Sequence, residues 1–189
     1  MHYQNIDFGK TKIEGKDRGP DYDQIFKVPP INKTILDIGC NIGYYSLRAG
    51  LDGAKKVVGI DNHQAFIDIA LKLCNELELD NVQFGCINFE NIPEEKFDIV
   101  LCLNTMHHLP SFQKVENWVR KMARMSNEAI IIETLHTDKY IEKIANRKGN
   151  EKIHVSIDFI RHTLPEYDSF ISFPSKVTEN RDIIIAWEN

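Results

Sequence analysis

The chain has 189 residues, of which 42% are hydrophobic and 27% charged, the composition of one ordinary soluble domain with a core of its own. Its formal net charge of −5 argues against binding nucleic acid or anionic lipid with the whole surface. No apolar run approaches the ~20 residues of a membrane span, and the first residues lack the charged-then-apolar order of a secretory signal, so no membrane contact and a cytoplasmic location are expected. Cys40, Cys74, Cys86 and Cys102 form no C-x-x-C pair and read as reduced core thiols rather than a metal cluster.

Residues 1–33 are polar, rich in Gly and Pro, and read as an irregular lead-in with a short helix near Tyr22–Lys27. Strand 34–38 enters a glycine turn, and a helix around 43–51 follows, closed by Asp52-Gly53. Val57–Ile60 is a short strand ending at Asp61. The clearest helix runs over 64–78, where Phe66, Ile69, Ala70, Leu73, Cys74 and Leu77 share one face. Asn81–Cys86 is a third strand. An irregular crossover (91–96) leads to a fourth, Phe97–Leu103, apolar enough to be covered on both faces. Ser111 is the expected N-cap of a helix burying Phe112, Val115, Val119, Met122 and Met125. Ala129–Glu133 is a fifth strand. Helices are expected near 138–148 and 156–163, then two strands, 170–173 and 183–187, paired as an antiparallel hairpin.

This order predicts an α/β fold: a Rossmann-like, seven-stranded, mostly parallel sheet with helices on both faces and a C-terminal antiparallel hairpin. Residues 1–189 form a single domain in this reading. The lead-in is 1–33, the ligand-binding core 34–135, and the substrate-side and hairpin region 136–189.

The most informative stretch is Asp37-Ile-Gly39-Cys-Asn-Ile-Gly43. A strand, a glycine turn and a helix N-terminus in that order make a nucleotide-sized site at the carboxyl edge of a parallel sheet. The spacing is Asp-x-Gly-x-x-x-Gly, not the three glycines that cradle a pyrophosphate. One close backbone approach beside an acid suits a cationic or zwitterionic ligand better than a phosphate. Asp61 ends the next strand, where a carboxylate accepts from ribose hydroxyls or caps the following helix.

The Asp37–Gly43 run resembles the first motif of class I S-adenosylmethionine-dependent methyltransferases, and the resemblance extends over residues 34–135. It implies that Asp37, Gly39, Asn41 and Gly43 surround the methionine end of that cofactor, and that Asp61 with Asn62 takes the ribose. Asn88 stands where many members carry an Asp toward the adenine amine. Its carbonyl accepts without charge, and Phe89 or Ile87 packs on the ring. Asn104-Thr-Met-His107-His108-Leu-Pro resembles the family's fourth motif, beside the transferable methyl. Asn104 there touches the methionine moiety, His107 is the candidate base, and His108 orders the loop. The alternative is that both histidines only shape the loop while alignment does the work.

Glu133 and His136 fall at a similar height. They line a polar pocket or face solvent, or hold a divalent metal as in some relatives; no metal is assigned. The segment carrying Lys12, Lys16, Arg18 and Tyr22 either folds over the cofactor, with Arg18 on its carboxylate, or is a loose tail. Lys139, Lys143, Arg147, Lys148 and Lys152 make a positive stretch, with 139/143 and 143/147 on one helix face. That face is solvated, or it meets an acidic or nucleic-acid substrate. The expected activity is methyl transfer to a small-molecule O or N acceptor. The alternatives are a tRNA-directed enzyme related to wobble-uridine modifiers and a binding-only partner protein. Oligomeric state is not readable.

Overall fold

A computed structural model describes residues 4–8, 11–26, 30–145 and 151–188. The chain divides into two compact units, Met1–Pro93 and Glu94–Asn189. The first holds a short antiparallel pair, β1 (Ile6–Asp7) with β2 (Lys12–Ile13), then α1 (Gly19–Ile25), β3 (Thr34–Ile38), α2 (Tyr44–Leu51), β4 (Lys56–Asp61), α3 (Gln64–Glu76) and β5 (Val82–Cys86). The second holds β6 (Phe97–Leu103), α4 (Phe112–Met125), β7 (Ser126–Leu135), β8 (Ile141–Ala145), β9 (Glu151–Val155), α5 (Ile157–Thr163), β10 (Ser169–Pro174) and β11 (Arg181–Trp187).

The main sheet has seven strands in the order β10-β11-β7-β6-β3-β4-β5. β3, β4 and β5 pair in parallel, as do β6 and β7, whereas β11 runs antiparallel to both β7 and β10. This is the expected Rossmann-like sheet finished by an antiparallel hairpin. Successive parallel strands march one way from β3 to β5 and the other way from β6 to β7. Within the first unit α2 and α3 both pack against β4 and β5.

In the first unit the strand interiors are Ile35, Leu36, Ile38, Val57 and Ile60, all buried. α2 lies close on β5 because Gly50 has no side chain; a Cβ there would stand 2.3 Å from Val82 Cγ2. Asn81 Nδ2 donates to the carbonyls of Gly50 and Ala54 at 3.1 and 2.8 Å, tying the end of α2 to the start of β5. The lead-in is ordered rather than irregular over its described part. Tyr22 on α1 stacks with Tyr45 of α2, meets Tyr44 edge-on, lies tilted against Phe26, and donates its hydroxyl to Asp52 at 2.9 Å. Lys27, the expected end of that helix, lies outside the described residues.

In the second unit Ser111 caps α4 as predicted, its hydroxyl accepting from the Lys114 N–H at 3.3 Å. Val115, Val119, Met122 and Met125 are buried, joined by Trp118, while Phe112 is exposed because it stands at the first helical position, before the stripe turns inward. On α3, Ile67 joins the buried face and Phe66 sits half out. Cys40, Cys74 and Cys102 are buried free thiols, but Cys86 at the end of β5 is exposed.

One predicted element is replaced. The expected helix over 138–148 is the strand β8, paired antiparallel with β9 through Glu142↔His154 and Lys143↔Ile153. Ile141, Ile144, Ile153 and Val155 are β-branched and favour pairing, and burial of Ile153 and Val155 rewards it. The basic helix face therefore does not exist. Lys139 pairs with Glu142, Lys143 with Glu151 at 3.7 Å, and Arg147 and Lys148 lie outside the described residues. Among the described residues no helix is long and apolar enough to cross a membrane.

The burial pattern of α4 makes a contrast measurable. Met122→Ala is expected to cost about 2–4 kcal/mol in urea unfolding, against about 0.5 kcal/mol for the exposed Phe112→Ala. Equal costs would mean that α4 docks by a different face.

Candidate functional site

The turn after β3 owes its shape to three residues with left-handed backbone: Gly39 at φ 74°, Asn41 at φ 55° and Gly43 at φ 88°. Glycine takes this region freely, and Asn tolerates it better than most residues. At Gly43 a side chain is doubly excluded, since its Cβ would stand 2.7 Å from the Phe84 ring. The N–H groups of Gly39 and Cys40 both donate to the Ile60 carbonyl, at 2.8 and 3.0 Å, so the turn is stitched to the end of β4.

Asp61 completes the stitching. One carboxylate oxygen accepts from the Asn41 N–H at 3.0 Å, the other from the His63 N–H at 2.9 Å. Its main-chain carbonyl accepts from Ile87 at 3.0 Å. The helix-entry role and the turn role thus coexist. Each oxygen of an ionised carboxylate keeps a further lone pair, so a half-buried Asp61 retains acceptor capacity for a ligand's hydroxyls.

Gln4, which no motif singles out, closes the helix side. Its Oε1 accepts from Tyr44 N–H at 3.1 Å and its Nε2 donates to the Cys40 carbonyl at 3.4 Å, filling the cap that Gly43 cannot provide. Arg18 is buried at the start of α1.

Asp37 is 2% exposed and lies under the turn, accepting from the Ser46 hydroxyl at 2.7 Å. Burial pushes its carboxyl up to about 6; the Ser46 bond opposes the rise and Asp61 adds to it. Among the other predicted residues, Asn62 and Asn88 are exposed, Ile87 is half-buried, and Phe89 is buried in the core. Ile87 is therefore better placed than Phe89 to offer an apolar surface to a ring.

In the second unit, β6 ends at Asn104, again left-handed at φ 55° and half-buried. A single 3₁₀ turn, Met106–His108, follows. His107 is 7% exposed and His108 is exposed, their rings 4.2 Å apart. Burial, reinforced by His108, Lys152, Arg181 and His154, drives His107 far below the ordinary histidine range, so its imidazole stays neutral. Burial, Lys152 and Arg181 also lower His108, whose Nδ1 lies 3.1 Å from the Lys152 ammonium.

Residues with no motif complete this cluster. His154 on β9 is 1% exposed, its ring 6.4 Å from that of His107, and burial lowers it to about 4. Arg181, opening β11, faces the buried Glu133 carboxylate at 3.6 Å. His136 points elsewhere, to Asp182 at 2.7 Å. Among the described residues no three of His, Cys, Asp and Glu are gathered to hold a metal. The alternation Lys152-x-His154 is the one sequence signal for this cluster, and it is legible only if 151–155 is read as a strand.

Comparison with known proteins adds the following. A family model described as "Methyltransferase domain" matches residues 31–168. A tRNA U34 carboxymethyltransferase from Nautilia profundicola is 32% identical over 81 residues, 42% of this chain and 27% of that protein. A ubiquinone biosynthesis O-methyltransferase from Coxiella burnetii is 31% identical over 85 residues, 44% of this chain and 36% of that protein. This chain thus spans about a third of the length of such curated relatives. Magnesium protoporphyrin IX methyltransferase from Synechocystis, solved with bound SAH, superposes with a TM-score of 0.70 at 15% identity, covering 89% of this chain and 82% of that one. At that identity the likeness is one of fold.

Asp37 gives a pH-dependent prediction. With its folded value near 6 against 3.8 for an unperturbed carboxyl, the folded state holds a proton that the unfolded chain has released, and stability falls as pH rises through that window. Asp37→Asn, which can still accept from Ser46, is expected to exceed the wild type near pH 7 by on the order of 3 kcal/mol. The advantage should vanish toward about pH 4. Parallel stability curves in urea would show that the Asp37 carboxyl titrates alike in the folded and unfolded chain.

Proposed function

The chain belongs to the methyltransferase-domain family, and from that premise we propose that it binds S-adenosylmethionine and methylates an O or N atom of a small molecule. The observation that carries the cofactor reading is the Asp61 carboxylate, held by the Asn41 and His63 amides with a lone pair left on each oxygen. Those lone pairs suit the two hydroxyls of a ribose. The left-handed turn at Gly39 and Gly43 admits backbone to the amino-acid end, and Asn88 offers a carbonyl to an exocyclic amine.

When bound, the cofactor supplies a methyl group on a sulfonium centre that is already activated toward a nucleophile. What remains for the protein is placement. His107 Nδ1 is buried without a hydrogen-bond partner, and as a neutral imidazole it accepts from the hydroxyl or amine of the acceptor. The low basicity that burial imposes makes it an orienting group rather than a strong base. His108 has its Nδ1 engaged by Lys152. The net charge of −5 favours a small acceptor over a polyanion. The similarity to a tRNA U34 carboxymethyltransferase does favour a second reading, a tRNA acceptor.

Calorimetry with S-adenosylmethionine should show saturable heat that Asp61→Ala weakens by roughly a hundredfold or more, ~2.7 kcal/mol. No heat with the wild type would remove the proposal. Labelled cofactor incubated with a metabolite extract and with bulk tRNA separates the two readings by where the label goes. No label in either arm, with cofactor bound, would leave a binding-only protein. His107→Ala should slow transfer by about tenfold with cofactor affinity intact, the scale of a lost orienting bond.

A further inference from the structure

The second unit gathers more positive and hydrogen-bond-donating capacity than a neutral acceptor would use. Lys152 and His154 alternate along β9, so both stand on one face of the strand. Arg181 at the start of β11 acts electrostatically on His107, His108, Lys152 and His154 alike. Lys152 also touches His108. The cluster thus draws on four separate segments: the 3₁₀ turn, β9, β11 and, through Glu133, β7.

Several of its polar atoms have no hydrogen-bond partner although they are buried. These are both ring nitrogens of His154, Nδ1 of His107, and Nε and Nη1 of Arg181. Such groups carry a desolvation cost of about 1–3 kcal/mol each unless something completes them. Glu133 pairs with Arg181 at 3.6 Å and offsets its charge without closing a hydrogen bond to it, and Glu142, across from His154, is engaged by Lys139 and by Thr137 at 2.9 Å. Three histidines, a lysine and an arginine with one acid, Glu133, beside the arginine do not make a cation site. They make a site for an anion with several acceptor oxygens.

We propose that Lys152, His154 and Arg181, with His107 beside them, bind an anionic group, carboxylate or phosphate, on the small-molecule acceptor. The proposal rests on the small-molecule reading above and narrows it: the acceptor is an acid. Lys152 supplies the charge together with the Glu133-paired Arg181, His154 supplies a hydrogen bond from a buried position, and the anchored acid fixes where the nucleophilic O or N comes to lie beside His107.

The test needs no cofactor, so it fails or succeeds independently of the calorimetry with S-adenosylmethionine. Inorganic phosphate and acetate are titrated separately into the protein at constant ionic strength, with chloride as the reference, while the histidine ring resonances are followed by NMR. Saturable shifts of His154 and His107 are expected for at least one anion, and which anion binds more tightly tells phosphate from carboxylate. Lys152→Gln should weaken that binding by about tenfold, roughly one charge-assisted hydrogen bond, and Lys152→Arg should restore much of it. Arg181→Gln should do the same. If that variant unfolds because Glu133 is left facing a neutral group, the half-exposed Lys152 carries the test alone. Shifts identical to those with chloride, or unchanged by Lys152→Gln, would overturn the proposal. Release of bound phosphate by stoichiometric tRNA would overturn the small-acid occupant in favour of a nucleic acid.

Discussion

The first unit depends on one carboxylate. Three left-handed residues in the turn after β3, Gly39, Asn41 and Gly43, expose amide groups that no helix or strand ladder can satisfy. Asp61 takes the Asn41 amide with one oxygen and the His63 amide with the other, while its carbonyl takes Ile87. The turn after β3, the entry to α3 and the exit from β5 are thereby tied to a single residue at the end of β4. Removing the charge would leave two oriented amides facing nothing, which is why the turn's geometry and the site's acceptor capacity cannot be separated in this fold. Gln4 and Ser46 work around that knot, one capping α2 from outside the motif and the other holding Asp37 beneath it.

The second unit is organised on opposite electrostatic terms. Asp37 and Asp61 concentrate negative potential near the turn, enough that each contributes to raising the buried Cys40 thiol. Around His107 the neighbours are Lys152, Arg181 and two further histidines, and the shared result is that the imidazoles stay neutral. Burial supplies the strength in both cases, because the same low dielectric that raises an acid lowers a histidine.

Much of this was readable from the chain. The glycine spacing at 39 and 43, the acid at 61 and the apolar strands 34–38 and 97–103 are local signals, and each lands where it was expected. The face of α4 was legible from its period, and Ser111 from cap chemistry, because both depend on neighbours within one or two turns. Between Phe89 and Ile87 as the expected ring platform the chain could not choose, since nothing local distinguishes an aromatic that turns inward, as Phe89 does, from one that stays at the surface. The segment 138–148 failed for a related reason. Its mixed polar sequence has no decisive period, and β8 exists because β9 pairs with it.

The sequence by itself therefore determined the order of elements, the sheet that follows from it, and the turn with its acid, all of which are set by short-range sterics and periodicity. Only the tertiary structure decided that Gln4 caps α2 across 40 positions, that His154 and Arg181 join the histidine turn, and that Asp37 is buried rather than presented. Those outcomes depend on which distant residues exclude water from a group, and that is a property of the packed molecule, carried by no stretch of chain alone.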